Sequence, residues 1–455
     1  MIFFFISGIL ELENEILKVC EELKEMNYAQ AVRFHEDAKQ YGSILGLDNI
    51  REIMRRLGDV FRKLRIVHIA GTNGKGSVCC FLASALREAG YRTGQFNSPA
   101  VFDLREMYQI NGQRIGKEEY ASCMTEAAAA CERMGKDGFS HPTVFELETA
   151  IAFLWFYRRK CDVVLLEAGM GGALDATNLI EQPLCSVFTS VGMDHMQFLG
   201  GTQAEIAQTK AGIIKENCPV VSGKQPLAAE EVLQKTAKEK NAAYYAAPEI
   251  KEYRYKDGKL CFFYPGLGAW ELAMTGSYQV QNAALAIKTL EVLGTCGYPV
   301  TVSQMKKGIK AAKWIGRFER LLDAPLFYID GAHNAEAAEE LRLSLMLHFP
   351  DKRKIGIMGV MADKPYRKMA TILKESLEEI YTVTPNQERA LSADELAKEW
   401  TRLGRRAVAE KSVYDAVKDA CNAAADGCKD AVIIAFGSLY YLKEVKDALY
   451  EIAGY

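Results

Sequence analysis

No C-x-x-C pair occurs among the twelve cysteines of this 455-residue sequence, so the spacing that zinc sites and redox motifs need is missing. Unpaired cysteines at this frequency suit a reducing compartment, and a cytoplasmic protein is expected. Positive charge is not in excess either. The 56 Lys and Arg against 59 Asp and Glu give a formal net charge of −3, which argues against nucleic acid as a partner. Internal repeats, low-complexity tracts and coiled-coil heptads are absent, which excludes solenoids and fibrous assemblies. The opening MIFFFISGIL is apolar but too short to span a bilayer. It lacks a positive leader and runs straight into acidic ELENEILKVCEELKE, so neither a secretory signal nor a membrane partner is expected. Met26 opens a more ordinary helical pattern, Met26–Lys39, so the residues before it read as an extension or a misplaced start.

The most informative stretch that is present runs from Arg65 to Gly90, RIVHIAGTNGKGSVCCFLASALREAG. A β-branched run, Ile66–Ala70, enters a loop with three glycines and a lysine. The chain leaves it in a helical pattern with Val78, Phe81, Leu82 and Leu86 on one face. Strand, glycine-rich loop and helix in that order form a phosphate cradle. Gly71, Gly74 and Gly76 let backbone N–H groups turn inward, Lys75 adds a point charge, and the Ser77 hydroxyl can ligate Mg²⁺. Read alone, the stretch could still be a glycine-rich turn that binds nothing; the complete order favours a nucleoside triphosphate.

With 49% hydrophobic and 25% charged residues the chain reads as globular, long enough for two or three domains. From Arg65 onward short apolar runs alternate with helical patterns. Strands are expected at Ile66–Ala70, Asp162–Glu167, Leu184–Val191 and Pro219–Ser222. Such continuous apolar strands imply a parallel sheet covered on both faces, with ligands beyond the carboxyl ends of its strands. Between Glu252 and Met274, Asp257-Gly258 separates two alternating runs and predicts an antiparallel hairpin appended to this unit. A helix is expected at Asn282–Leu293. Past Arg317 the alternation resumes with Leu326–Ile329, Lys354–Met358, Ile380–Val383 and Ala431–Phe436. The fold class is therefore α/β: an N-terminal phosphate-loop domain with a parallel sheet and a small antiparallel appendage, then a C-terminal Rossmann-like domain. The expected boundaries are residues 1–311 and 317–455.

Several loops together resemble a known family. GTNGKGS, Ser98-Pro99, Ile110-Asn111-Gly112, EAGMGGALDATN, VGMDHMQFLGGT, KAGIIK, NAALAI, GRFER, DGAHN and GSLYYL occur in this order. Nearly the whole chain beyond Met26 resembles folylpolyglutamate synthase and its bifunctional relative dihydrofolate synthase, within the Mur ligase superfamily. The resemblance implies an ATP-dependent ligase. A substrate carboxylate attacks the γ-phosphate to give an acyl phosphate, and the amine of L-glutamate then displaces phosphate.

Residue by residue, the resemblance implies ATP contacts from Gly71, Thr72, Asn73, Gly74, Lys75, Gly76, Ser77, Asn282, Arg317 and Asp330. Lys75, Lys210, Asp330 and His333 would act in catalysis, and Ser438 is a weaker candidate. Mg²⁺ at two sites would be held by Ser77, Glu146 and His195, a histidine suiting the less purely oxygen-lined site. Lys210 matches a lysine that relatives carbamylate. Read alone, Glu146 would pass as a solvated surface residue, His195 as a structural histidine and Lys210 as a helix-surface lysine, with Lys215 as the decoy. Phe102, Arg105, Phe145 and Asp175 could line the pterin and carboxylate pocket, or simply pack in core and loops.

The sequence departs from the family pattern in three places. Ala100 replaces the histidine of Ser-Pro-His, Ala173 stands where bifunctional bacterial members carry arginine, and Ile315 precedes GRFER in place of proline. Loss of a cation at the first two positions weakens the case for dihydropteroate. Extension of a folate's glutamate tail is the expected activity, with folate and L-glutamate as substrates, and dihydrofolate synthesis from dihydropteroate is the alternative. A cell-wall Mur enzyme would need a further domain before Gly71, for which there is too little chain. A phosphate-loop kinase or switch, which would turn over without folate or glutamate, is a second alternative, and a silent binding protein a third. A monomer is expected, since nothing suggests an extended association surface.

Overall fold

A computed structural model describes residues 25–42, 44–194, 196–425 and 430–454. The apolar opening lies outside them, as does His195. Among the described residues no helix is long and apolar enough to cross a membrane.

Strand β1 (Ile66–Ala70) is buried along its whole length because it pairs in parallel on both sides, with β5 (Val163–Glu167) and β6 (Cys185–Phe188). A strand hidden on both faces is mostly apolar, and the one polar side chain in it, His68, is fully buried and bonded through Nε2 to Thr177 Oγ1 at 2.8 Å. Among the described residues the first sheet has the order β4-β3-β2-β5-β1-β6-β7-β8. Here β2 is Thr93–Phe96, β3 Tyr108–Ile110, β4 Gln113–Arg114, β7 Val220–Ser222 and β8 Tyr244–Ala246. Strands β2 and β5 to β8 run parallel to β1, and β3 and β4 form an antiparallel edge.

Helix α1 (Lys75–Glu88) departs from the one-sided pattern expected of it: every residue from Gly76 to Leu86 is buried. The sheet covers one side, and α4 (Gln279–Thr295) and α5 (Val302–Ala311) cover the other. A Cβ on Gly308 would overlap the Ala85 backbone, so α5 lies directly against α1. The opposite sheet face is closed by Asp48–Arg56, Lys117–Lys136 and α2 (Val144–Arg158).

The expected hairpin is present as β9 (Tyr253–Lys256) and β10 (Lys259–Tyr264), joined through Asp257 and Gly258, both at positive φ. A third strand, β11 (Gly268–Leu272), extends it, and Leu260, Phe262 and Trp270 enter the core beneath α1.

The second large sheet has the order β12-β13-β17-β14-β15-β16 among the described residues. Its strands are β12 (Glu319–Asp323), β13 (Leu326–Ile329), β14 (Arg353–Met358), β15 (Glu379–Thr382), β16 (Arg406–Ala409) and β17 (Ala431–Phe436). All pair in parallel except β12. The two edge strands were not foreseen, because ERLLD and RAVA are half-exposed and lack an apolar run. The carboxyl ends of β1, β5, β6 and β7 and those of β13 and β17 face one cleft.

Candidate functional site

The phosphate loop is held by its own backbone and side-chain contacts. Gly71 and Gly74 have positive φ, and a Cβ there would overlap Thr189 Oγ1 and Asn282 Oδ1 respectively. The Thr72 N–H donates to the Ser190 carbonyl at 2.6 Å. The Thr72 hydroxyl donates to Gly192 O at 3.1 Å and accepts from Gly192 N at 2.9 Å. Lys75, the first residue of α1, folds its ammonium back onto Gly71 O (3.3 Å) and Thr72 O (3.2 Å). The free N–H groups at the start of α1 and the Lys75 charge suit an oxyanion. Ser77 Oγ accepts from Gln279 Nε2 at 3.1 Å, and Asn282 Nδ2 donates to Gln279 Oε1 at 3.0 Å. The Gly76 backbone lies against the Trp314 indole.

Glu167 ends β5 beside this loop. Its Oε1 is 3.7 Å from Lys75 Nζ, and it accepts from Asn97 Nδ2 at 2.6 Å. Burial pushes its carboxyl up, against the pull of Lys75 and Asn97. Lys210, on α3 (Gln203–Ala211), reaches the same loop from below and donates to Gly71 O at 2.8 Å. Burial, reinforced by the Lys75 charge, holds its pKa down at about 7.

From the second lobe, Asp330 at the end of β13 accepts from Tyr278 OH (2.7 Å), Phe318 N (2.8 Å) and Ala332 N (2.8 Å). Burial raises its pKa against those bonds. His333 Nδ1 bonds to Gly331 O at 2.8 Å, leaving Nε2 turned to Asp194 Oδ2 at 3.4 Å. Asp194 also pairs with Lys364 Nζ at 2.6 Å. Arg317 lies so close to Gly331 that a side chain there would strike its guanidinium. Asn334 caps α6 (Ala335–His348) and is bonded to Asn73 of the phosphate loop.

A cleft of about 470 Å³ gathers Gly71 to Ser77, Lys210, Asn282, Arg317, Asp330 and His333 between the lobes. Six expected residues are not in it. Glu146 is a correction: its carboxylate accepts from the N–H (2.8 Å) and hydroxyl (2.9 Å) of Thr143, closing the capping box of α2. Asp175 is spent inside its own loop, accepting from Met170 N (2.7 Å) and from Thr177 N (3.0 Å) and its hydroxyl. Arg105 pairs with Asp103 at 2.6 Å and covers Tyr28. Phe102 lies under Lys446, and Phe145 packs against Phe96 and Gly169. Ser438 caps the turn that follows it, through Tyr440 N at 3.2 Å. Lys215, the decoy, lines a separate groove before β7.

Glu167, Tyr278, Gln279 and Asn334 were missed. A signal existed for Glu167: it is the charged residue closing an apolar strand, at the edge where ligands collect. With Ser77 it offers hard oxygen donors beside the phosphate cradle, which fits Mg²⁺. No group of three or more His, Cys, Asp or Glu among the described residues could hold a metal by itself.

Residues 69–290 match the Mur ligase middle domain, and residues 316–439 match the glutamate ligase domain of Mur ligases. The chain is 33% identical to the dihydrofolate synthase/folylpolyglutamate synthase of Bacillus subtilis, over 90% of this chain and 96% of that protein. It is 31% identical to the folylpolyglutamate synthase of Lacticaseibacillus casei, over 93% of this chain and 99% of that one. The Mycobacterium tuberculosis folylpolyglutamate synthase complexed with ADP and AMPPCP superposes with a TM-score of 0.84 at 28% identity, covering 94% of this chain and 99% of that chain.

Proposed function

The chain belongs to the folylpolyglutamate synthase and dihydrofolate synthase family of Mur ligases, and we propose that it extends the glutamate tail of a reduced folate by ATP-dependent ligation of L-glutamate. One observation supports this best: Lys75 and Ser77 of one lobe and Arg317, Asp330 and His333 of the other line a single cleft. We take residues 1–311 and 317–455 as the two domains that meet there.

The N–H groups of residues 71–77 and the Lys75 ammonium hold the triphosphate, with Asn282 and Arg317 flanking it. The acceptor carboxylate attacks the γ-phosphorus: an O–P bond forms, the bond to the departing ADP breaks, and an acyl phosphate results. The glutamate amine, having lost its proton, attacks the acyl carbon, a C–N bond forms, and phosphate leaves with one former carboxylate oxygen. The fixed guanidinium fork of Arg317 suits the charge that develops on the transferred group. Mg²⁺, held by Ser77 and Glu167, supplies neutralisation of phosphate charge when bound.

Lys210 has two states to choose between. As a cation it bonds Gly71 O; as a neutral amine it can add CO₂, losing a proton, to become an anionic carbamate. Its pKa of about 7 keeps the neutral amine available, which supports carbamylation. Neither Ala100 nor Ala173 offers a cation to the acceptor's carboxylate, which favours folates over dihydropteroate. The ten described cysteines are all free, which supports a reducing compartment such as the cytoplasm.

The deciding experiment follows ADP release with acceptor labelled by ¹⁸O in its carboxylate. Release should require both folate and L-glutamate, and one label should appear in inorganic phosphate. ADP formed without either substrate would point to a phosphate-loop switch instead.

A further inference from the structure

One buried amide joins the second lobe to the phosphate loop. Asn334 is 1% exposed. Its Oδ1 accepts from Ala337 N at 2.9 Å, which caps α6. Its Nδ2 donates to Asn73 Oδ1 at 3.0 Å, and Asn73 Nδ2 donates back to Asn334 Oδ1 at 3.3 Å. The same Nδ2 lies 3.4 Å from Asp194 Oδ2. The cap fixes which way the amide points, because Ala337 N–H requires the oxygen, so the nitrogen must face Asn73 and Asp194.

A helix cap needs only an oxygen, and serine, threonine or aspartate would supply it equally well. The nitrogen is surplus to capping, yet it is buried and aimed at the phosphate loop. Other side chains of the second lobe reach the neighbouring loop instead: Glu336 accepts from Met193 N at 3.2 Å, and Lys364 and His333 both face Asp194. Among the described residues, the Asn73–Asn334 pair is the hydrogen-bonded link from the second lobe to residues 71–77. Asn73 is itself bridged to Ser190 through its backbone, so its side chain has a rigid base.

We propose that Asn334 is a positioning residue that locks the phosphate loop, through Asn73, to the start of α6. The lock sets the spacing at which Lys75 and Ser77 face Arg317 and His333 across the nucleotide. The proposal rests on the ligase reading above. A misplacement of about 1 Å across a reacting centre can cost on the order of 100-fold in rate, so a small gain in freedom would be felt in kcat.

The test is a cycle of Asn334→Ser, Asn73→Ala and their combination, read by folate- and glutamate-dependent ADP release, thermal midpoint and ATP-analogue affinity. Serine keeps the cap but cannot span to Asn73. Each single variant should lose about 10- to 100-fold in kcat, and the double variant no more than the worse single one. The thermal midpoint of Asn334→Ser should stay near that of the parent, and KM for glutamate should move only a few-fold. A kcat within twofold of the parent, or losses that multiply in the double variant, would overturn the lock. If Asn334→Ser does not fold, Asn334→Thr takes its place in the cycle, since threonine also keeps the cap oxygen and lacks the amide nitrogen. Pulsed electron–electron spectroscopy between spin labels on the two lobes should show a broader separation in both single variants with the analogue bound. An unchanged distribution rejects the proposal. If the parent chain releases no ADP with folate and glutamate, the ligase reading fails first, and the label distances still report on the lock.

Discussion

The Lys210 ammonium donates to the Gly71 carbonyl at 2.8 Å, so a lysine buried beneath the phosphate loop touches that loop's own first residue. Its pKa of about 7 against an ordinary 10.5 has a consequence of definite sign. The fold disfavours the charged form, so its penalty is complete below about pH 7. The penalty fades as pH rises towards the unfolded value. Lys210→Met should therefore melt at or above the parent temperature at pH 6, with the difference shrinking by pH 9. Differential scanning calorimetry across that range checks it. Turnover should meanwhile fall as pH drops through 7, together with any ¹³C carbamate signal in ¹³CO₂-enriched buffer. A carbamate signal that is absent at every pH rejects the modification.

Two glutamates make opposite predictions. Glu146→Gln preserves the capping box, which accepts glutamine, so turnover and its Mg²⁺ dependence should stay near the parent's. Glu167→Gln removes a carboxylate beside Lys75 and Ser77. It should lower kcat at least about 100-fold and raise the Mg²⁺ concentration needed for half-maximal rate. Metal titrations of both variants decide which carboxylate belongs to the site.

Lys75→Ala should abolish turnover by at least about 100-fold while the fold survives, because α1 is held by apolar packing on both sides. ADP release and far-ultraviolet circular dichroism test the two halves of that statement.

Dihydropteroate should be a poorer acceptor than a reduced folate when labelled glutamate incorporation is compared at equal concentration. Equal rates would mean that the missing cations at Ala100 and Ala173 do not matter.

Local order was readable in the sequence wherever one physical cause dominated. The run Ile66–Ala70, its loop and its helix follow from burial and glycine geometry alone, and the bounds of β1, β13 and β17 were foreseen residue for residue. Edge strands such as β12 and β16 escaped because half-exposed strands have no distinctive pattern. Glu146 is more instructive. The spacing from Thr143 to Glu146 spells a capping box, so the local rule held the right answer and the family resemblance obscured it. The Asn73–Asn334 pair spans 261 residues of chain, and no local pattern announces a partner so distant.

Trp314 stands against Gly76 at the first turn of α1, half-buried, while Trp155, Trp270 and Trp400 are enclosed in the cores. The molecule therefore has a built-in optical reporter at its phosphate cradle. A nucleotide settling there should change the emission of Trp314, and Trp314→Phe, which keeps only the emission of the three enclosed indoles, is the control.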